Sequence, residues 1–145
     1  MIDQNSDLAA RAALELFHRA YRMFTSRADR ILEDRGLGRS HHRILYFVGR
    51  NPGVSVNNLF GILGVSKQAL NAPLRQLIEL ELIGVAVAGH DRRVKELSLT
   101  VEGALLEGRL TGIQLDQLAA AFAAAGPEAT RGWHAVMQEF SAPPP

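Results

Sequence analysis

The chain has 145 residues, which is enough for one domain with a substantial hydrophobic core. It contains no cysteine, which excludes disulfides, thiolate metal sites and thiol-based redox switches. Hydrophobic residues make up 47% and charged residues 21% of the chain, so the composition also excludes a disordered polymer.

The net charge of +1 conceals an uneven distribution of charge along the chain. Residues 39–95 carry 8 Lys and Arg against 3 Asp and Glu, whereas residues 96–145 carry 2 against 6. A basic block in a nearly neutral chain favours a polyanion-binding segment, although charge also fluctuates in sequences without such a role. The amino terminus has no signal-peptide pattern, and the longest apolar run, residues 118–125, is too short to span a bilayer. We therefore expect a cytoplasmic protein without a membrane partner.

The first predicted helix begins with a cap at Ser6, runs to about Arg35 and stops at Gly36. Its apolar residues recur on one face over several turns. They are Phe17, Ala20, Tyr21, Phe24, Ala28, Ile31 and Leu32. Ser40 is predicted to cap a second helix, which ends at the Asn-Pro-Gly turn of residues 51–53.

A helix-turn-helix is predicted next. Ser55 caps a short third helix, Gly64 begins a tight link, and Ser66 caps a fourth helix that runs to about Leu80. Leu70, Leu74 and Leu77 form the inward face of this fourth helix. The opposite face carries Lys67, Gln68, Asn71 and Arg75. These are residue types that contact base edges and phosphates, although a polar stripe alone is equally typical of a solvated helix face.

Pro73 departs from the pattern of the fourth helix because it lies in the interior. Proline there removes the hydrogen bond to the carbonyl of Ala69 and costs about 3 kcal/mol in an unsupported helix. Two outcomes are open: either the helix kinks at Pro73, or the surrounding packing imposes its course.

Two short strands, residues 85–88 and 94–100, are predicted to form a hairpin with its tip at residues 89–91. A helix-turn-helix followed directly by a hairpin is a winged helix, so this hairpin is the wing. Arg92 and Arg93 near its tip suit the negative potential of a DNA minor groove. Asp91 is unfavourable beside phosphate unless it orients Arg93 through a charge-assisted, bidentate hydrogen bond.

The last third of the chain predicts two more helices. Thr100 caps a fifth helix that runs to about Ala125, and Pro127 fits the first turn of a sixth. The sixth helix carries an apolar stripe at i, i+3, i+4 and i+7, formed by Trp133, Val136, Met137 and Phe140. Residues 142–145 are predicted to be a disordered tail.

Residues 91–103, DRRVKELSLTVEG, resemble the wing signature of the MarR (multiple antibiotic resistance regulator) family. That signature is Asp-x-Arg, followed by a strand and by Leu-Thr-x-x-Gly at the start of a helix. The resemblance is specific from about Ser40 to Gly103, whereas the outer helices match in length, order and apolar character.

The resemblance implies a mainly α-helical winged helix-turn-helix protein with a small β-hairpin. It implies a single domain over residues 1–145, in which 38–100 form the DNA-binding lobe and 6–36 and 101–141 form dimerisation helices. The expected function is a homodimeric transcriptional regulator, a repressor, which binds a pseudo-palindromic operator in double-stranded DNA. The implied DNA-binding residues are Ser66, Lys67, Gln68, Asn71 and Arg75 in the major groove, Asp91, Arg92 and Arg93 on the wing, and Ser55 and Asn57 beside phosphates.

In the MarR family, small ligands often bind where the dimerisation helices meet the DNA-binding lobe. The resemblance therefore implies a site for a small anionic or aromatic effector. The residues proposed for it are Arg19, Arg22, Arg27, His41, His42 and Arg43. The alternative for each of them is a solvated or ion-paired side chain.

No motif in the sequence indicates catalysis or metal binding. His41 and His42 are adjacent and point about 100° apart on a helix, so they do not chelate one metal. There is no Ser/His/Asp set, no paired-acid motif and no phosphate-cradling glycine loop. We expect no enzyme activity, no metal and no cofactor. The alternative to DNA binding is a winged helix that makes protein–protein contacts.

Overall fold

The computed structural model describes residues 4–143, which form six α-helices and one three-stranded antiparallel sheet. The elements in chain order are α1 (Gln4–Glu33), α2 (Arg39–Arg50), β1 (Val54–Ser55), α3 (Val56–Leu63), α4 (Lys67–Glu79), β2 (Ile83–Val87), β3 (Lys95–Leu99), α5 (Val101–Ala125) and α6 (Pro127–Ser141). The predicted fold class, mainly helical with a β-hairpin wing, is confirmed.

Two of the predicted helix caps are wrong. α1 already includes Gln4, so Ser6 lies inside the helix and does not cap it. α2 begins at Arg39 with Gly38 as the N-cap residue, and the side chain of His41, not of Ser40, reaches back to the Gly38 backbone N–H at 2.9 Å. In both cases the helix begins before the serine, so the serine lies within the helix and leaves the N-cap position to another residue.

Three other caps are confirmed. The hydroxyl of Ser55 accepts a hydrogen bond from the Asn58 backbone N–H at 3.1 Å, and that of Ser66 accepts from Ala69 at 3.2 Å. Thr100 caps α5 by accepting from the Gly103 backbone N–H at 3.0 Å. Each bond satisfies one of the unpaired N–H groups in the first turn of its helix.

The sheet has the order β1-β3-β2. Both predicted wing strands are present: β2 covers Ile83–Val87 and begins two residues before the predicted strand of residues 85–88, and β3 covers Lys95–Leu99, within the predicted strand of residues 94–100. The register pairs Ile83 with Leu99 and Val85 with Leu97. The two-residue strand β1, which pairs Val54 with Leu97, was not predicted from the sequence.

The core lies in the lobe formed by α2, α3, α4 and the sheet, and it continues onto one end of α1 and α5. Its members are aliphatic and aromatic side chains buried from solvent. They include Ala28, Leu32, Ile44, Leu45, Val48, Leu59, Phe60, Leu70, Leu74, Leu77, Ile83, Leu97, Leu106 and Leu110. Burial of α4 through Leu70, Leu74 and Leu77 is as predicted. It leaves the polar face of that helix in solvent.

α1, α5 and α6 extend beyond this lobe. α1 packs against α5, α5 packs against α6, and Phe17 contacts Phe140 with ring centroids 5.7 Å apart. Much of the apolar surface of α1 and α6 remains exposed, including Phe17 at 47% and Phe140 at 72%. Of the predicted tail, Ala142 and Pro143 follow α6 without regular structure, and residues 144–145 lie outside the described residues. Within residues 4–143, no helix is long and apolar enough to cross a membrane.

Candidate DNA-binding surface

The helix-turn-helix consists of α3 and α4, joined by a turn at Gly64. Gly64 has φ +65°, a left-handed conformation that glycine adopts without steric cost, and its N–H bonds the carbonyl of Phe60 at 3.0 Å. This turn ends α3 directly before the cap of α4. The sequence therefore determines locally where the second helix of the motif begins.

α4 presents a continuous polar face to solvent. The side chains on this face are all exposed: Lys67, Gln68, Asn71 and Arg75. No acidic residue interrupts the face before Glu79, at the end of the helix. The helix N-terminus also contributes partial positive charge, and α4 has no acid in its first turn to cancel it. The face has the charge and donor groups needed to contact a polyanion.

The two serines predicted beside DNA are primarily capping residues. Ser55 and Ser66 each use a lone pair of the hydroxyl oxygen to accept a backbone N–H. Each hydroxyl keeps one proton that it can donate to a phosphate oxygen. Asn57 is exposed in the first turn of α3, where the helix dipole favours an anion.

The wing tip contains the predicted bond between Asp91 and Arg93. Arg93 Nε and a terminal guanidinium nitrogen each donate to a carboxylate oxygen of Asp91 at 3.2 Å, and the Arg93 backbone N–H donates at 2.9 Å. The Arg93 side chain nevertheless remains 91% exposed. These bonds, first of all that from the guanidinium, hold the pKa of the Asp91 carboxyl below its usual range. Arg92 is exposed beside them.

Pro73 does not interrupt α4, which continues from Lys67 to Glu79 through the proline. Pro73 itself is half-buried, and its helix neighbours Leu70 and Leu74 are buried. The helix therefore tolerates the loss of one backbone hydrogen bond because apolar side chains on both sides anchor it to the core.

A separate cavity of about 310 Å³ lies where α1 and α5 meet α2. Its walls combine aromatic rings with charged and polar groups. The lining residues are Tyr21, Phe24, Thr25, Asp29, Arg39, His42, Arg43, Tyr46, Phe47, Thr111, Gln114, Leu115 and Leu118. The cavity is thus located where the family resemblance implied an effector site, with α1 and α5 on one side and α2 of the winged-helix lobe on the other.

Only two of the six residues proposed for an effector line this cavity, namely His42 and Arg43. Arg19, Arg22, Arg27 and His41 lie outside its lining. The arginines of α1 turn away from the cavity because Tyr21, Thr25 and Asp29, spaced four apart, form the face of α1 that turns towards it. Arg39, Arg43 and Tyr46, spaced i, i+4 and i+7 on one face of α2, form the wall on that helix, and this spacing could have been found in the sequence.

Charged side chains of the cavity are partly paired. Arg39 Nε bonds Asp29 at 3.0 Å, and the Arg39 guanidinium lies 5.3 Å from the centre of the Tyr21 ring. The bond to Asp29 raises the pKa of Arg39. His42 Nε2 lies 3.2 Å from Thr111 Oγ1, and Thr111 in turn bonds Glu107. Burial of the His42 ring lowers its pKa, so this histidine is predominantly neutral at pH 7.

Among the described residues, no group of three or more His, Cys, Asp or Glu is arranged to hold a metal ion. The two adjacent histidines illustrate why. His42 faces Thr111 on α5, whereas His41 faces Gln76 on α4.

Comparisons with known proteins agree on one family. The sequence profile of the MarR family matches residues 35–94. The HTH-type transcriptional regulator PetP of Rhodobacter capsulatus is 41% identical over 138 residues, which cover 95% of this chain and 83% of PetP.

Solved structures share the fold at lower identity. The S. aureus MepR–DNA complex aligns with a TM-score of 0.69 and 21% identity, over 87% of this chain and 93% of MepR. Bordetella bronchiseptica BpsR, whose DNA binding is regulated by 6-hydroxynicotinic acid, aligns with a TM-score of 0.70 and 16% identity, over 90% of this chain and 99% of BpsR.

Proposed function

Because this chain belongs to the MarR family of transcriptional regulators, we propose that it is a sequence-specific repressor that binds double-stranded DNA in the cytoplasm. The observation that carries the proposal is the combination of two exposed elements in one lobe. One is the basic, acid-free face of α4, and the other is the arginine wing with its Asp91–Arg93 bond.

In this proposal α4 enters the major groove. Lys67 and Arg75 meet phosphates or guanine edges, and Gln68 and Asn71 have the paired donor and acceptor groups that match adenine. Arg93 enters the adjacent minor groove, whose negative potential favours a guanidinium. Ser55, Ser66 and Asn57 contact phosphates at the starts of α3 and α4. The MepR–DNA complex, which shares the fold, supports a DNA-binding role.

We propose that the operator-binding form is a homodimer. In a single chain, α1 and α6 leave a patch of large apolar side chains exposed, among them Leu14, Phe17, Val136 and Phe140, and exposed apolar patches mark interaction surfaces. Pairing of residues 6–36 and 101–141 with the same segments of a second chain covers this patch and creates a two-fold axis. A two-fold protein requires a pseudo-palindromic operator, with half-sites about one helical turn apart.

We propose further that a small aromatic acid regulates DNA binding from the cavity between α1, α2 and α5. Aromatic walls at Phe24 and Tyr46 favour a planar ring, and within residues 4–143 no carboxylate forms an ion pair with Arg43 as Asp29 does with Arg39. The volume of about 310 Å³ is at the lower end of the range for small-molecule sites. BpsR shares the fold, and the regulation of its DNA binding by 6-hydroxynicotinic acid supports this class of effector.

The test of the DNA-binding proposal is selection of duplexes from random DNA, followed by titration of the selected site at two salt concentrations. We expect a pseudo-palindrome. We also expect the affinity to fall steeply as the salt concentration increases, because protein binding releases cations from the DNA phosphates and this release is less favourable at high salt. Recovery of no preferred sequence, together with weak binding that ignores salt, would contradict the proposal. That result would favour a winged helix that contacts protein instead.

The effector proposal is tested by thermal melting with a set of aromatic monocarboxylates. A ligand that stabilises the folded protein should also release the selected operator. Arg43→Ala should weaken both effects, whereas Arg19→Ala, which changes an arginine outside the cavity, should leave them unchanged. Equal loss in both variants would show that the arginines act only through net charge.

A further inference from the structure

A set of hydrogen bonds outside the predicted DNA surface joins the α1–α2 turn to α2 and α4. The Gly38 backbone N–H lies 2.9 Å from His41 Nδ1, and His41 Nε2 lies 2.9 Å from Gln76 Oε1. Gln76 Nε2 then donates to the carbonyl of Gly36 at 3.4 Å. The bonds form a ring that leaves the turn through Gly38 and returns to it at Gly36.

The direction of every bond in this ring follows from the chemistry of its members. A backbone N–H can only donate, so Nδ1 of His41 accepts and carries no proton. The proton of the neutral imidazole is therefore on Nε2, which donates to the Gln76 side-chain oxygen. The amide nitrogen of Gln76 remains to donate to the Gly36 carbonyl. One tautomer and one amide orientation satisfy all three bonds.

The ring supplies what the apolar contacts of α4 lack. Leu70, Leu74 and Leu77 hold α4 against the core and decide which face turns inward, but apolar burial itself is non-directional. Hydrogen bonds are directional. Gln76 is next in sequence to Arg75, which lies on the proposed DNA surface. Bonds at Gln76 therefore fix the rotation of that surface.

The other end of the ring is joined firmly to α1. Leu37 N bonds Leu32 O at 2.8 Å and Gly36 N bonds Glu33 O at 3.0 Å, which is a Schellman ending with Gly36 at φ +71°. Leu32 and Leu37 are both buried in the core. The turn thus moves with α1, and the ring transmits the position of α1 to α4.

We propose that His41 and Gln76 are positioning residues that set the orientation of α4 relative to α1, and thereby the half-site spacing that the dimer accepts. This inference rests on the proposed function as a dimeric operator-binding protein. Neither side chain needs to touch DNA for this role. Both act through the direction in which α4 presents Arg75 and Asn71.

The test compares Gln76→Leu with the parent on the operator selected by the parent. Gln76→Leu keeps an apolar stem of similar length but removes both side-chain bonds. We expect affinity for that operator to fall by about tenfold, the size of one or two net hydrogen bonds. Operators with one base pair inserted or deleted between the half-sites should be strongly disfavoured by the parent. The variant should discriminate against them several-fold less.

Ile78→Ala is the matched control, because Ile78 is half-buried against the core on the same helix and has no part in the ring. It should lower the melting temperature and leave the spacing preference of the parent intact. An unchanged spacing preference in Gln76→Leu, or the same relaxation in Ile78→Ala, would overturn the inference. If the parent selects no DNA at all, the proposed function fails first and the inference with it.

A measurement on the parent alone keeps the inference testable if Gln76→Leu does not fold. Long-range 1H–15N NMR of the imidazole should show a protonated Nε2 and an unprotonated Nδ1 for His41.

A second variant separates the two bonds of Gln76. In Gln76→Glu the carboxylate can still accept from Nε2 but cannot donate to Gly36, so the spacing preference should relax while the tautomer persists. A His41 ring protonated on Nδ1 would show that the ring of bonds does not exist.

Discussion

At the wing tip, the negative charge of Asp91 and the positive charge of Arg93 have opposite effects on the electrostatic attraction of the wing to DNA. The carboxylate repels phosphate, yet its two bonds to the guanidinium hold an otherwise mobile side chain in one orientation. Exposed ion pairs contribute little to stability, so the value of this pair lies in geometry. The two effects predict opposite results when Asp91 is removed.

Asp91→Ala is expected to weaken operator binding although it adds net positive charge, because Arg93 loses its fixed orientation. Arg93→Ala should also weaken binding and should make the logarithmic salt slope shallower by about two per dimer. Titration of both variants against one operator at two salt concentrations checks this, with melting curves as the folding control. Binding by Asp91→Ala that equals or exceeds the parent would show that Asp91 does not orient Arg93.

Gly103 is expected to be indispensable at the joint between the wing and α5. A Cβ atom there would overlap the backbone carbonyl of Leu82, which already accepts the Thr100 N–H at 3.2 Å. Gly103→Ala should therefore destabilise the protein by about 3 kcal/mol in chemical denaturation. Gly108→Ala is the control in the same helix, since an added Cβ there would meet no described atom within 4 Å apart from the local helix backbone, and the change should stabilise by up to about 1 kcal/mol. Equal effects of the two changes would contradict the proposed overlap.

His42 predicts a pH dependence of stability. Burial lowers its pKa in the folded state, so the unfolded chain binds the proton more readily below the ordinary histidine value of about 6.5. The free energy of unfolding should be fully maintained above that pH and should decrease as the pH falls from there to the lowered folded-state pKa. Denaturation of the parent and His42→Gln between pH 8 and 5 should show a shallower decrease in the variant.

The exposed His90 provides the control for that experiment. His90→Gln should retain the full pH dependence of the parent. The opposite electrostatic influence on His42 comes from Asp29, which favours the protonated ring but is outweighed by burial. A decrease that is identical in the parent and in His42→Gln would show that other groups cause it.

At the scale of single elements, α4 shows how packing overrides local preference. Pro73 is unfavourable inside a helix, yet the leucines on both sides anchor α4 without interruption. A second unfavourable backbone conformation follows the C-terminal end of α4. Glu81, directly after the C-cap residue Leu80, has φ +60°, which residues other than glycine rarely adopt. Leu82 N bonds Leu77 O at 3.0 Å there, so the buried Leu77 and Leu82 hold a turn that glycine would adopt more easily.

Pro73→Ala is expected to increase the free energy of unfolding by about 2 kcal/mol. Alanine is about 3 kcal/mol more favourable than proline inside a helix, because it regains the backbone hydrogen bond and removes the clash of the ring with the preceding turn, and greater freedom of the unfolded chain offsets up to about 1 kcal/mol of this gain. Because α4 is already continuous, operator affinity and preferred sequence should remain nearly unchanged. Selection from random DNA checks this, and a shifted sequence preference would show that the proline shapes the recognition surface.

At the scale of the whole molecule, the exposed apolar faces of α1 and α6 predict an obligate dimer with α4 helices about 34 Å apart. Phe140→Glu should convert it to a monomer in light scattering at micromolar concentration, because Phe140 is 72% exposed in the single chain. Val87→Glu makes the same change at a 56% exposed residue of the wing and should leave the dimer intact. A parent protein that is already monomeric would contradict the prediction.

Many interactions between close neighbours could be predicted from the sequence alone, although the caps at Ser6 and Ser40 were wrong and the bond between Gly38 and His41 was missed. The caps at Ser55, Ser66 and Thr100, the turn at Gly64, and the bond from Arg93 to Asp91 all join residues at most four apart. Their geometry depends on the local backbone, so a pattern of residue types is enough to indicate them. The winged helix-turn-helix followed from these local signals in the correct order.

Contacts between residues that are distant in sequence could be found only in the tertiary structure. The same holds for the choice of side chains that line the cavity. Gln76 bonds His41, 35 residues away, and Val54 pairs with Leu97, although nothing near either residue indicates its partner. The six effector residues were proposed from the family resemblance and from their charge, but the packing of α1 and α5 on α2 leaves only His42 and Arg43 in the cavity. Side-chain direction around a packed helix depends on its rotation against its neighbours, and that rotation is set by contacts distant in sequence.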